Sequence, residues 1–230
     1  MSQPRSSRRQ APVEPDELEA APPRGRQAWL ALLVMAVLVA VIVGSGLLIS
    51  HALAPAVPAA LANCKTSTQI APHEYLGRQP MCITASQKLQ ATITTTQGDV
   101  VVQLHPEIAP VTVNNFVILA THGYYDGSTF WDSETWEIQG GDPLGNGHGG
   151  PGYTLPDEGS GTPWGLGALG MARAPGGAVN GSQFFIEKAD WPSPGPKAVY
   201  NRFGTVISGM DKAQLLSTSD SILSITIKVS

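Results

Sequence analysis

The sequence is short of charged residues, of cysteine and of positive charge, and each shortage excludes a class of protein. Charged residues make up 14% of the 230 residues, whereas a soluble domain carries roughly 25%, so part of the chain is expected to face something other than water. Lys and Arg number 14 against 18 Asp and Glu, a net charge of -4. A nucleic-acid partner is therefore not expected, because such proteins need a positive footprint. Two cysteines are too few for a zinc ribbon or a multi-bridge scaffold.

One long apolar run stands near the N-terminus. Residues 1–27 mix arginines and acidic residues with proline and serine and show no apolar periodicity, which predicts a disordered tail. Residues 28–49 carry no charge, and a helix of that length reaches about 33 Å, enough for a hydrocarbon core of about 30 Å. Because Arg24 and Arg26 precede the run, residues 28–50 are predicted to form a single membrane-spanning helix with a cytoplasmic N-terminus. A cleaved signal peptide is the alternative, and either leaves the remainder exported to the far side of the cell membrane.

Residues 51–90 are predicted to be an extracytoplasmic spacer that holds both cysteines. The spacer starts with Ala and Pro and then contains Cys64 and Cys82. Export permits a disulfide, which would contribute about 3 kcal/mol in the chain-entropy model. Two free thiols are the alternative, and the absence of C-x-x-C spacing argues against a catalytic thiol pair. We expect the bridge.

Residues 91–230 have the pattern of a mainly β domain. Short β-rich runs recur, and Gly98-Asp99 between two of them predicts a hairpin turn. Residues 108–122 repeat apolar side chains at helical spacing, and residues 210–216 predict a second, shorter helix. Many short strands with glycine-rich turns and two helices favour an antiparallel barrel with helical caps. The long Gly/Pro loop at 142–165 is expected to be functional.

Three motifs occur in order within this domain. They are W-E-I-Q-G-G-D-P at 136–143, G-G-P-G-Y at 149–153 and N-G-S-Q-F-F-I at 180–186. Together they resemble the cyclophilin family of peptidyl-prolyl isomerases, and the match covers about residues 91–230. The anchored layout with a two-cysteine spacer is similar to that of actinobacterial cyclophilins. The resemblance implies an eight-stranded antiparallel barrel with two capping helices and a proline-binding groove on one face.

The resemblance also implies which residues form the groove. Phe185 takes the place of the pocket floor, and Gln139 that of the amide that orients the substrate backbone. Arg173 stands where the family has Asn, within the segment that offers main-chain hydrogen bonds to the peptide. The remaining substrate-binding positions are Trp136, Glu137, Ala172, Trp191 and Tyr200.

The family's catalytic arginine is missing from this sequence. Family members carry F-H-R ahead of F-M-I-Q-G-G-D, but here Asp132 and Ser133 are the nearest occupants, in a segment one residue shorter. Glu137 replaces the groove's methionine, and its carboxylate is expected on the same face of the strand as Gln139. We hypothesise that Arg173 pairs with Glu137 or donates in place of the missing arginine. Reduced activity is expected.

Other site motifs are weak. Gly145, Gly147 and Gly150 have the spacing of a dinucleotide fingerprint, but Pro151 follows at once and no strand–turn–helix surrounds them. The 5 histidines share no ligand spacing, so neither a cofactor nor a metal is expected. The sequence favours a membrane-tethered prolyl isomerase that acts on proline-containing segments of exported proteins. The alternatives are a non-catalytic module that binds such segments and a structural domain with a closed groove.

Overall fold

The computed structural model describes residues 56–158, 163–191 and 200–230. The predicted tail and membrane-spanning helix, residues 1–50, lie outside this part of the chain. Within the described residues, no helix has the length and apolar character needed to cross a membrane.

Alternation of apolar and polar residues builds the central strands. In the strand Leu89–Thr95 every second residue is buried, as expected for a strand with one face on a core. The strands are β1 (Gln69–Ala71), β2 (Glu74–Tyr75), β3 (Leu89–Thr95), β4 (Gly98–Leu104), β5 (Asp132–Ser133), β6 (Glu137–Gly140), β7 (Thr154–Leu155), β8 (Ala168–Arg173), β9 (Val179–Glu187), β10 (Arg202–Ser208) and β11 (Ile222–Val229). The helices are α1 (Pro110–Thr121), α2 (Met210–Leu215) and a 3-10 turn at Ala59–Leu61.

Nine of the described strands form one antiparallel sheet. Its order is β11-β3-β4-β10-β8-β9-β6-β5, and β7 also pairs with β9. The two ends of the sheet approach each other, because the Phe130 N–H donates to Asp220 O at 3.1 Å and the Ile222 N–H to Ser128 O at 2.8 Å. The result is a mainly β half-barrel with few helices. The sheet has nine strands where eight were expected. Two of them, β5 and β7, contain only two residues each, which is too short for a pattern in the sequence to reveal them.

The helix predicted at residues 108–122 corresponds to α1, whose two ends lie within two residues of the predicted ones. Its first N–H groups have an acceptor from a distant segment, because the Glu158 carboxylate accepts from the Val111 N–H at 3.0 Å and the Thr112 N–H at 2.8 Å. A carboxylate at a helix N-terminus also interacts favourably with the helix dipole. On the inner side, Phe116 packs against Phe184 and Phe203, with ring centroids 5.6 and 5.2 Å apart.

From residue 56 onward the predicted spacer packs against the domain. Cys64 and Cys82 form the expected disulfide. The Asn114 side chain on α1 accepts from the Cys82 N–H at 2.7 Å, and Gln79 donates to the Tyr153 hydroxyl at 3.0 Å. The bridge therefore closes a folded arm that is hydrogen-bonded to α1 and to the glycine-rich loop.

The hairpin between β3 and β4 turns two residues earlier than predicted. Thr95 pairs with Gly98, so Thr96 and Gln97 form the turn, and the prediction of a turn at Gly98-Asp99 was wrong. The reason is a contact from outside the hairpin: the Asp220 carboxylate accepts from the Thr96 hydroxyl at 2.6 Å and from the Gln97 amide at 2.8 Å.

Candidate functional site: a groove on strands β6, β8 and β9

A cavity of about 130 Å³ lies on the outer face of β6, β8 and β9. Gln139 on β6 lies directly opposite Phe185 on β9, and side chains of directly opposed residues stand on the same face of a sheet. The cavity is lined by the eight groove residues named from the sequence: Trp136, Glu137, Gln139, Ala172, Arg173, Phe185, Trp191 and Tyr200. The structure thus brings all of the predicted site residues together, and their individual roles stay predictions.

Phe185 lies at the centre of an aromatic cluster. Only 1% of its surface is exposed, because Trp164 stacks on it at 5.5 Å while Tyr200 and Trp191 meet it edge-on at 5.5 and 5.9 Å. Trp164 was missed in the sequence. It fits there because Gly170 has no side chain: a Cβ at this position would lie 2.6 Å from both rings. The expected pocket floor is therefore enclosed on several sides by aromatic rings.

The Gln139 amide is held by a second amide. Its Nε2 donates to Oε1 of Gln183 at 3.0 Å, and Nε2 of Gln183 donates to the carbonyls of Gly147 and Gly149 at 3.1 and 2.8 Å. This chain of bonds fixes the orientation of Gln139. Gln183 was not predicted as part of the site, although it belongs to the N-G-S-Q motif.

Two carboxylates share the face of Gln139. Glu137 lines the cavity with 8% of its surface exposed. Asp132 on β5 is directly opposite Gln139, and with Ser133 it is one of the two residues nearest the place of the missing arginine. This wall of the groove therefore has carboxylates where the family has a guanidinium and a thioether.

Burial raises the pKa of Glu137 to about 7. The negative charges of Asp132, Glu134 and Glu187 contribute to this raised pKa, and the positive charge of Lys188 opposes it. Near neutral pH the Glu137 carboxyl is therefore close to half protonated.

Glu187 is a second buried carboxyl, and sequence reasoning did not single it out. It lies directly opposite Glu137 in the β6–β9 pairing and has no exposed surface. Its pKa is raised to about 7, mainly by burial and also by the charge of Asp190, against the opposing effects of the Gly165 N–H and Arg202. Its Oε2 accepts from the Gly165 N–H at 2.5 Å, whereas Oε1 has no hydrogen-bond partner within the described residues. Only the strand register reveals this pair of carboxyls.

Arg173 lines the cavity and is bonded to neighbouring groups. Its Nη2 donates to the Asp157 carboxylate at 2.8 Å and its Nε to the Gly177 carbonyl at 3.2 Å. Arg173 thus forms an ion pair with Asp157, and its hypothesised pairing with Glu137 stays a prediction. Its function as a surrogate donor stays a prediction.

Most polar motif residues hold the backbone in place. We call residues 141–152 with 180–183 the motif frame. In it, Asp142 accepts from three backbone N–H groups, those of Leu144, Asn146 and Gly147. Asn180 donates to the Gly149 carbonyl at 3.1 Å, and its side-chain oxygen accepts from the two N–H groups of residues 182 and 183. These bonds shape the loop beside the groove. Among the described residues, no group of three or more His, Cys, Asp or Glu could hold a metal ion.

Comparisons with known proteins agree with this architecture. Residues 90–227 match the family model of the cyclophilin type peptidyl-prolyl cis-trans isomerases. Peptidyl-prolyl cis-trans isomerase B of Bacillus subtilis is 46% identical over 121 residues, which cover 51% of this chain and 82% of that protein. A peptidyl-prolyl cis-trans isomerase of Synechococcus elongatus is 40% identical over 141 residues, covering 60% and 95%.

Among solved structures, a cyclophilin type peptidyl-prolyl cis-trans isomerase of Cryptosporidium parvum is similar. Its TM-score is 0.53 at 28% identity, and the match covers 62% of this chain and 98% of that one. The half-barrel is therefore cyclophilin-like. The chain belongs to the cyclophilin-type peptidyl-prolyl cis-trans isomerases, as the motifs predicted.

Proposed function

We propose that the chain isomerises X-Pro bonds in exported proteins, at a lower rate than relatives that carry the arginine. The observation that supports this most is the cross-strand placement of Gln139 and Phe185 in one small cavity with aromatic walls. Rotation about an X-Pro bond crosses a barrier of about 18–20 kcal/mol because amide resonance is lost. An apolar pocket that holds the proline ring, beside a fixed amide that orients the peptide, lowers this barrier if it favours the twisted geometry over both ground states.

The reduced rate follows from the groups opposite Gln139. A positioned donor that stabilises developing charge is worth roughly 10²–10³ in rate. Here Asp132 occupies that place, and an ionised carboxylate accepts hydrogen bonds but does not donate them. Gripping and orienting the peptide are left to supply the acceleration.

We also propose that residues 28–50 anchor the chain in the cell membrane, with the domain outside. The uncharged run, the arginines before it and the Cys64–Cys82 bridge support this placement, since disulfides persist in oxidising compartments. Resistance of the chain to alkaline extraction, and cleavage of the domain by protease added to intact spheroplasts, are the expected results. Release by alkali, or protection from the protease, would contradict the anchor.

The activity is tested by NMR exchange spectroscopy on an X-Pro peptide. The purified full chain is kept in a non-ionic detergent because of its apolar run. We expect catalysed exchange that falls at least tenfold in Gln139→Ala, because the orienting amide is lost. Insensitivity to cyclosporin would not count against the enzyme, since Trp136 and Glu137 alter the groove.

The second candidate is a non-catalytic module that binds proline-containing segments. The carboxylates of Asp132 and Glu137 favour it, because they replace a donor and an apolar wall. Peptide binding detected by fluorescence of the groove tryptophans, without any acceleration of exchange, would establish this alternative.

A further inference from the structure

The carboxyls beside the groove form one cluster on one face of the sheet. Asp132 is opposite Gln139, and Glu187 is opposite Glu137. Glu137 and Gln139 are two residues apart on β6, so their side chains stand on the same face. We call Asp132, Glu137 and Glu187 the carboxyl cluster. Of the three, Glu137 lines the cavity, Asp132 stands beside it on the same face of the sheet, and Glu187 is fully buried behind them.

The nearest cations have other partners. Arg173 is bonded to Asp157. The Lys188 ammonium donates to the Ser133 hydroxyl at 3.0 Å and to the Leu216 carbonyl at 3.4 Å. Arg202 donates to the Pro163 carbonyl and to the Thr205 hydroxyl. These contacts hold the three cationic groups in fixed places. Lys188 and Arg202 still interact electrostatically with Glu137 and Glu187, but among the described residues no member of the carboxyl cluster forms an ion pair within 4.0 Å. The Glu137 carboxyl at the cavity can therefore take a cationic partner.

Aromatic rings complete the same wall. Trp136 and Trp191 pack with ring centroids 4.1 Å apart, and Tyr200 lies 5.6 Å from Trp191. All three rings line the cavity together with Glu137. A cation over an aromatic face is attracted by the ring quadrupole, and a neighbouring carboxylate adds its own charge. A carboxylate among aromatic rings is suited to an ammonium or guanidinium group.

We propose that the groove selects prolyl segments in which Lys or Arg stands next to the proline. The proposal rests on the proposed function, because it assumes that the prolyl residue lies against the Phe185 side of the cavity. The neighbouring side chain then reaches the Trp136 and Glu137 side, a distance of one residue along the peptide. The cationic head then lies against the Glu137 carboxyl and its neighbour Asp132, and an acidic side chain there meets like charge.

Matched peptides test this in the wild-type full chain. Three X-Pro peptides differ only at X, which is lysine, acetyl-lysine or glutamate, so that length and apolar surface stay alike between the first two. Binding is followed by tryptophan fluorescence and isomerisation by NMR exchange. We expect the lysine peptide to bind about tenfold more tightly than the acetyl-lysine peptide, and the glutamate peptide to bind most weakly.

Variants assign the preference to the cluster. The double variant Asp132→Asn with Glu137→Gln keeps the shapes of both side chains and removes their charge, so lysine and acetyl-lysine peptides should bind alike. The control Asp99→Asn removes one charge at an exposed position of the β3–β4 hairpin and should keep the tenfold preference. If the double variant fails to fold, the wild-type peptide series still decides.

The outcomes separate the two proposals. Equal affinity for all three peptides, with exchange still catalysed, overturns the cation preference and leaves the isomerase intact. Absence of binding and of catalysis with every peptide overturns the proposed function. A lysine preference that persists in the double variant overturns the assignment to Asp132 and Glu137.

Discussion

The motif frame and the carboxyl cluster border the same groove but are built in opposite ways. In the motif frame, buried polar groups have partners: Asp142 is 1% exposed and its carboxylate accepts from three backbone N–H groups. In the carboxyl cluster, Glu187 is fully buried with one oxygen lacking a hydrogen-bond partner in the described residues, and Glu137 lines a cavity. Buried polar groups with all their hydrogen bonds made maintain a fold, whereas the Glu137 carboxyl faces a cavity and can interact with a ligand.

The largest expected effect is on stability and concerns the motif frame, where the Asp142 carboxylate is hydrogen-bonded to the backbone. Asp142→Ala should lower the free energy of unfolding by about 3 kcal/mol, because three backbone N–H groups lose a charged acceptor at once. Urea unfolding of the full chain measures it. The exposed Asp99→Asn should change stability by less than about 0.5 kcal/mol. A loss below about 1 kcal/mol in Asp142→Ala would show that water replaces the carboxylate and that the frame is not held as described.

The carboxyl cluster should instead cost stability at high pH. The folded protein keeps the Glu137 proton to about pH 7, whereas an ordinary Glu releases it near 4.5. Between these values the folded state binds more protons than the unfolded state, so stability falls as pH rises from 4.5 to 7. Glu137→Gln removes this titration and should exceed the wild type by about 2 kcal/mol at pH 8, with little difference at pH 4.

Unfolding curves at pH 4, 6 and 8 measure this difference. Glu187 has the same kind of raised pKa, so part of the pH dependence should remain in Glu137→Gln. The charged residues around Glu137 are Asp132, Glu134, Lys188 and the Glu187 that faces it from β9. All four are unchanged in the variant. Parallel curves for wild type and variant would mean that Glu137 titrates normally.

The sequence predicted those parts of the fold that depend on local pattern. β-rich runs located β3 and β4, helical spacing located α1, and the ordered motifs located Gln139 and Phe185. The turn at Thr96 and Gln97 was missed because Asp220, more than a hundred residues away, binds both side chains. Contacts between distant segments leave no local signal.

The same limit applies to the site. The missing arginine is visible in the sequence because it breaks a motif. Trp164 is invisible there because it lies in an aperiodic loop, and its stacking on Phe185 needs the absent side chain of Gly170. Glu187 follows a matched motif by one residue, and only the β6–β9 register sets it against Glu137. The motifs therefore predicted the motif frame, whereas the arrangement of the acidic groups beside the groove became visible only in the structure.

Restoring a hydrogen-bond donor opposite Gln139 would bring the groove closer to the family pattern. Asp132→Arg places a guanidinium opposite Gln139 and should raise kcat/KM for a neutral X-Pro peptide about tenfold, part of the full value of such a donor. It should also abolish the preference for a lysine neighbour. NMR exchange with the acetyl-lysine peptide measures the first effect, and Asp99→Arg controls for added positive charge. Unchanged kcat/KM would show that the shortened segment keeps the guanidinium away from the peptide.

The smallest expected effect links the titration of Glu137 to selectivity. Above pH 7 the Glu137 carboxyl is mainly ionised and attracts a cationic neighbour of the proline, and below pH 7 it is mainly neutral. The ratio of affinities for lysine and acetyl-lysine peptides should therefore rise about fivefold between pH 6 and pH 8, while the peptide ammonium stays charged throughout. Fluorescence titrations at the two pH values measure the ratio. In Glu137→Gln the ratio should not change with pH, because the titrating carboxyl that lines the cavity is gone. A ratio that rises equally in this variant would assign the selectivity to another titrating group and remove Glu137 from the recognition of the substrate.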